Sequence, residues 1–249
     1  MNNLKELLDH KFLEYNTPGF IDKDPVSIPH RFFLKQDIEI SGFLSATLAW
    51  GNRKSIITNA NRLLQLMGDT PWNFLLTAKP QDFKPFLQFV HRTFNGDDCL
   101  FFLSSLQNIY RTYGSLEPLF ITMNQHGAEH AIGRFREIFL STDHLKRSEK
   151  HIANPAAGSA AKRINLFLRW MVRKDDRGVD FGHWKSIDPK MLICPLDIQS
   201  GRVARYLGLL KRSQNDWKAA VELTEALRRF DPADPVKYDF ALFGMGINQ

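Results

Sequence analysis

Cysteine is nearly absent from this sequence: Cys99 and Cys194 are the only two among 249 residues. Two thiols cannot supply a four-cysteine zinc or iron–sulfur site, and a disulfide is not expected in a reducing compartment. The eight histidines are scattered without an HExxH-like pair, so neither a metal nor a cofactor is expected. Long apolar runs are missing as well, and none approaches the roughly 20 residues that a membrane-spanning helix needs. The opening stretch MNNLKELLDHKFLEY mixes charges with its leucines and has no apolar signal-peptide core. A cytoplasmic protein with no membrane partner is the expectation. Alternating segments bounded by hairpin turns are also lacking, which points to an all-α fold.

What is present suits a globular interior. Hydrophobic residues make up 43% of the chain and aromatics 12%, including 20 Phe. The formal net charge is +6, and excess lysine and arginine favours a polyanionic partner, because each neutralised phosphate releases counterions. Many basic proteins bind no such partner, so charge alone does not decide the matter.

Helical spacing recurs along the chain. Leu4, Leu7, Leu8 and Phe12 share one face, and Thr17 to Pro29 reads as a loop. Asp37 is placed to cap a helix carrying Ile40, Phe43, Leu44 and Leu48, broken at Gly51 and Asn52. A helix with Ile56, Ala60, Leu63 and Met67 stops at Gly68, and Thr70-Pro71 is a helix start. Further helices are predicted at 81–92, 98–112, 115–123 and 126–140. Asp143 to His151 reads as a surface connection, Asn154 to Arg173 as a turn and long helix, and Lys174 to Asp188 as a charged excursion from the core. Helices over 197–210, 215–230 and 236–245 complete the chain.

Two segments carry candidate chemistry. In Asn154-Pro155-Ala156-Ala157-Gly158-Ser159-Ala160-Ala161-Lys162, small residues form a turn ahead of a helix whose first N–H groups can hold a phosphate. The helix has Ile164, Phe167, Leu168 and Met171 for the core, and also carries Arg163, Arg169 and Arg173. In Cys194-Pro195-Leu196-Asp197-Ile198-Gln199-Ser200-Gly201-Arg202, the proline favours an extended entry and Asp197 falls at an N-cap. Taken singly, the first is an ordinary amphipathic helix and the second an ordinary cap.

Together, the small-residue turn with its early lysine and the Pro-x-Asp helix start followed by Gly-Arg-Val-Ala resemble the helix-hairpin-helix DNA glycosylase superfamily. The ending Asp239-Phe240-Ala241-Leu242-Phe243-Gly244-Met245-Gly246 is similar to that group's last helix. The nearest likeness is to the archaeal 8-oxoguanine glycosylase branch, which has no iron–sulfur cluster. The chain as a whole also resembles a bacterial family that carries no assigned function. The informative likeness covers roughly the last 100 residues. Ala156 stands where the superfamily has the first glycine of its turn, and aligning on Gly158 would put Ala160 at the lysine position. Aligning on Lys162 keeps the Lys-x-x-Asn pattern with Asn165 and leaves 35 residues to Asp197, close to the archaeal branch.

The resemblance implies a single glycosylase-like unit over 1–249 with two helical lobes, 35–173 ending in the hairpin, and 1–34 plus 174–249. It implies a monomer acting on duplex DNA, with Lys162 as nucleophile and Asp197 as stabiliser of positive charge at the sugar. An oxidised purine is the implied base, with strand cleavage following base removal. Asp239 and Phe243 resemble recognition positions, and Trp50 and Leu166 join them as base-pocket candidates. Gly158, Ser159, Arg163, Arg169, Arg202 and Arg205 are the candidate DNA contacts, with Lys211 and Arg212 extending the basic patch. Phe243 and Trp50 also suit plain core packing, and each arginine also suits a solvated surface. A non-catalytic helix-hairpin-helix nucleic-acid binder and a helical protein–protein scaffold are the competing readings.

Overall fold

The computed structural model describes residues 2–247. It is all-helical, 66% helix with no β-strand among the described residues, and only isolated bridges join His91 to Phe94 and Ser159 to Asp216. The α-helices are α1 (Asn2–Tyr15), α2 (Pro18–Ile21), α3 (Lys35–Leu48), α4 (Arg53–Leu66), α5 (Pro71–Thr77), α6 (Gly96–Tyr113), α7 (Met123–Leu140), α8 (Lys162–Val172), α9 (Ile198–Tyr206), α10 (Trp217–Arg228) and α11 (Asp239–Ile247). None is long and apolar enough to cross a membrane.

The architecture is organised around α3. Every residue from Asp37 to Leu48 is buried, although the sequence shows only one apolar stripe. The remaining positions are mostly small, which allows neighbours to approach on all sides. A β-carbon on Gly42 would stand 3.3 Å from Met171 Cε and 3.6 Å from Phe167, so glycine there lets α3 and α8 pack closely. Phe43 meets Phe102, Phe135, Phe139 and Phe167 at ring-centre distances of 5.5–6.1 Å. Around α3 lie α4, α5 and α8, and elsewhere α1 and α9 both pack on α11.

Several expectations need correction. Asp37 does not cap α3: it lies in the first turn, buried, and accepts a 2.8 Å hydrogen bond from the backbone N–H of Trp72, so it caps α5 instead. The segments predicted as helices at 81–92 and 115–123 are 3-10 turns at Pro80–Gln88 and Glu117–Leu119. Pro85 and Pro118 remove a donor within each, which disfavours an α-helix. The charged stretch 174–188 is no excursion. It folds back on α8, with Phe181 and Trp184 donating to the carbonyls of Trp170 and Met171 at 2.8 Å, and it buries Val179, Asp180 and Trp184. Two of its acids, Asp175 and Asp180, are internal partners of Arg169 and Arg173, which a linear reading of charge cannot see.

Glu39, buried on α3, ties three segments together. It accepts from Tyr110 Oη, Ser115 Oγ (2.9 Å), Leu116 N–H (2.7 Å) and Trp184 Nε1 (2.7 Å). Removing the acceptor strands buried donors, each at a cost of about 1–3 kcal/mol. Glu39→Ala is therefore expected to lower stability by about 3 kcal/mol or more in urea denaturation, with the Trp184 segment losing amide-exchange protection first.

Candidate functional site

The turn before α8 is built from local hydrogen bonds. Asn154 Oδ1 accepts from Ala157 N–H (3.2 Å), Gly158 turns the chain at φ +88°, and Ser159 Oγ accepts from Ala161 N–H (3.2 Å). Trp217 N–H donates to the Gly158 carbonyl (3.1 Å), which anchors the turn to the start of α10. It is entered from the 3-10 segments Lys146–His151 and Pro155–Ala157 rather than directly from an α-helix. Ala161, buried and held at φ +53°, starts α8 in a left-handed conformation that disfavours any β-carbon. Lys162 follows as the first residue of the helix, and Asn165 Nδ2 donates to the Ala160 carbonyl (3.2 Å).

Asp197 caps α9. Its Oδ1 accepts from the backbone N–H (2.8 Å) and the hydroxyl (3.0 Å) of Ser200. The other oxygen, Oδ2, lies 3.0 Å from Lys162 Nζ. Asn215 Nδ2 donates to the Asp197 carbonyl (3.0 Å), and a β-carbon on Gly201 would stand 2.9 Å from Asn215 Oδ1. Burial works against ionisation of Asp197, but Lys162 and the Ser200 hydrogen bonds outweigh it and hold the carboxyl below its ordinary value. Both members of the pair stay partly accessible, with side-chain exposures of 34% for Lys162 and 22% for Asp197.

Two cavities meet at this pair. The larger is a cleft of about 1080 Å³, lined among others by Phe135, Arg136, Gly158, Ser159 and Ile198. The smaller is a chamber of about 170 Å³, lined among others by Phe20, Asp24, Arg53, Leu166, Asp239 and Phe243. Ala49, Trp50, Gly51, Lys162 and Asp197 line both. They form the partition, with the amine and the carboxylate on the border between an open cleft and a small recess.

The four base-pocket candidates, Trp50, Leu166, Asp239 and Phe243, all line the chamber. Asp239 is buried. Its Oδ2 accepts from Arg169, while Cys194 Sγ lies 3.9 Å from Oδ1. Burial pushes its carboxyl up to about 6 against the pull of Arg169. Phe243 faces Phe20, with ring centres 5.7 Å apart. Among the proposed DNA contacts, Gly158, Ser159 and Arg163 line the cleft.

Of the arginines, Arg169 requires correction. Arg169, 2% exposed, bonds Asp180 and Asp239 and so serves the interior rather than a phosphate. Arg163 donates to the carbonyls of Thr47 (2.7 Å) and His151 (3.3 Å), and burial pushes its guanidinium down to about 10. Arg205 is tied to the carbonyl of Arg212 and to Asn215, and Arg212 to Asp216. Arg202 is exposed and, like Arg205, lines neither cavity. Lys211 is exposed too.

Sequence reasoning missed Asp24 and Arg53. Asp24 reads as a loop charge beside Pro25, yet it is buried, accepts from Val26 N–H (3.0 Å) and faces the chamber. Arg53 reads as a solvated helix start. Among the described residues no group of three or more His, Cys, Asp or Glu is placed to hold a metal ion. Both cysteines are buried thiols with raised pKa.

Compared with known proteins, residues 24–248 match the family described as "Protein of unknown function (DUF2400)". No curated protein and no solved structure matches the chain.

The Asp197 carboxyl gives a direct test of the pair. Its folded value lies below the unfolded one, so its contribution to stability is present above the ordinary carboxylate range and is lost as pH falls through the folded value. In Lys162→Met the pull of the amine is gone and burial remains. The carboxyl is then expected to titrate above its wild-type value, read by carbon NMR of the aspartates, and the stability lost below the ordinary carboxylate range is expected to be smaller than in the wild type.

Proposed function

The chain belongs to the DUF2400 family, and from the geometry of its cleft we propose that it is a DNA glycosylase with an associated lyase step, using Lys162 as nucleophile. The observation that carries this reading is the position of the Lys162–Asp197 pair, 3.0 Å apart, on the border shared by a large cleft and a small chamber. An enzyme that removes a base must take the nucleotide out of the stack and hold the base in a pocket while the sugar meets the reacting groups. A strand in the cleft with its base in the chamber puts C1′ at the partition. The resemblance to helix-hairpin-helix DNA glycosylases agrees with this arrangement, and it makes an oxidised purine, 8-oxoguanine first, the base to test.

The chemistry follows from the two groups. Oδ2 of Asp197 takes a proton from the Lys162 ammonium, freeing the Nζ electron pair. Nζ bonds to C1′ as the bond from C1′ to the base breaks, the electron pair leaving with the base, which receives the proton. The restored carboxylate faces the positive charge at the sugar. A proton passes from Nζ to O4′ as the C1′–O4′ bond opens, leaving a Schiff base on Lys162. Loss of a proton from C2′ then breaks the C3′–O bond, and the 3′ phosphate departs with that electron pair. Asp197 cannot swing away, because Ser200 holds its other oxygen. Ala161 and the Asn165 side chain fix the start of the helix that presents the amine.

A non-catalytic binder that keeps the cleft is the second reading, favoured by the fact that Lys162 is already engaged in an ion pair. Borohydride reduction of the protein on duplexes carrying 8-oxoguanine or an abasic site separates the two. The expected result is a covalent adduct absent in Lys162→Ala, with turnover in Asp197→Asn reduced about 10²-fold or more. DNA binding without an adduct on any lesion selects the binder.

A further inference from the structure

Beside the corner that divides cleft from chamber, two arginines have no acceptor of their own: Arg53 lines the chamber, and Arg92 lines neither cavity but lies against Trp50 and Gly51, which line both. Arg53 opens α4 and lines the chamber, and its guanidinium carbon lies 5.0 Å from the centre of the Phe243 ring. Arg92 is exposed, and its guanidinium carbon lies 4.7 Å from the centre of the Trp50 ring. Its Nη1 is 2.5 Å from where a β-carbon on Gly51 would stand, and Gly51 itself sits at φ +104°. Glycine at position 51 is what allows the guanidinium to lie against the corner.

A guanidinium stacked on a ring presents its flat face and keeps its in-plane N–H donors directed outward. Among the described residues neither arginine forms an ion pair or a hydrogen bond, whereas Arg163, Arg169, Arg205 and Arg212 all engage carboxylates, carbonyls or amides. Asp24 feels the charge of Arg53, but it turns its carboxylate to the backbone of Val26.

The platform under Arg92 is rigid. His91 and Phe94 exchange backbone hydrogen bonds of 2.8 and 3.0 Å, Asn59 Nδ2 donates to His91 Nδ1 (3.0 Å), and Arg147 donates to the Thr93 carbonyl (3.2 Å). This pinned turn holds Arg92 itself at φ +56°, in the left-handed region. The first turn of α4 carries Arg53 and Lys54 and no acid, which is unfavourable for a helix start and favourable for an arriving anion.

We infer that Arg53, against Phe243 in the chamber wall, and Arg92, against Trp50 of the partition, bind phosphodiester oxygens of the DNA strand on the two sides of the extruded nucleotide. The inference rests on the nucleic-acid reading above and adds to it the residues that hold the backbone while the base occupies the chamber. Guanidinium forks suit phosphate oxygens, with charge-assisted hydrogen bonds from paired donors. Stacking on Phe243 and Trp50 sets the direction of those forks in advance.

The test is equilibrium binding of the full chain to a duplex with a central tetrahydrofuran residue, between about 50 and 200 mM salt. Arg53→Gln and Arg92→Gln are each expected to flatten the slope of log K against log[salt] by about 0.9, the value for one neutralised phosphate, and the double variant by about twice that. Arg92→Lys is expected to keep the wild-type slope. Arg111→Gln, on α6 and lining neither cavity, is expected to leave it unchanged. Methylphosphonates on both sides of the tetrahydrofuran are expected to flatten the wild-type slope and erase its difference from the glutamine variants. Wild-type slopes in both glutamine variants overturn the inference, and flattening confined to one arginine overturns its two-sided form. Borohydride trapping, run on the same proteins, keeps the two proposals apart. An adduct with unchanged slopes removes the arginine clamp and leaves the glycosylase, while flattened slopes without an adduct leave the clamp on a non-catalytic binder.

Discussion

The single aspartate at the start of α9 has two duties, and the site depends on their being kept apart. One oxygen of Asp197 closes the first turn of its own helix through Ser200, and the other reaches Lys162 on α8. A capping carboxylate is fixed by backbone donors that do not rotate, so the second oxygen is held in place without any partner beyond the amine. The two residues lie 35 positions apart in sequence. Their meeting converts two unremarkable helix starts into a charged border between a cleft and a chamber.

What keeps those helix starts in register lies beneath them. Arg169, on the same face of α8 as Lys162, and Arg173, just past the end of that helix, engage Asp180, Asp234, Asp175 and Asp239 in the interior. Buried ion pairs add little net stability, but breaking one leaves an uncompensated charge, so such a network discriminates strongly against displaced arrangements of the segments it joins. Here it fastens α8 to the returning segment 174–188 and to the start of α11. Arg169 also holds Asp239 against the chamber wall, 4.2 Å above the Phe240 ring at its guanidinium carbon. The positions of the amine and of the buried acid in the chamber are therefore set by the same helix.

The sequence made the helix boundaries visible where proline, glycine or a capping side chain marked them, as at Asn52, Thr70, Gly158 and Asp197. It misled where a residue acts across the fold. Asp37 looked like a cap for α3 and instead caps α5, because the acceptor is spent on a chain segment 35 residues away. Arg163 and Arg169 looked like a solvated basic face, since their acceptors are backbone carbonyls and acids contributed by distant segments. The stretch 174–188 looked like a surface excursion because its charges are conspicuous and its Trp184 and Val179 are not. Asp24, Arg53 and Arg92 gave no signal, for a charge in a loop or at a helix start reads the same whether it faces bulk water or a recess. Convergence of the chamber walls is a tertiary property; of the lining, spacing or resemblance suggested Trp50, Lys162, Leu166, Asp197, Asp239 and Phe243, and assigned Arg169 to DNA instead.

The most direct measurement is a crystal structure of the chain bound to a duplex carrying an uncleavable 2′-fluoro analogue of 8-oxoguanosine. The account requires the analogue's base to occupy the chamber behind Trp50, with C1′ about 3–3.5 Å from Lys162 Nζ, the separation of reacting atoms poised for attack. A duplex lying across another face, or an analogue left stacked in the helix with the chamber unfilled, would contradict it.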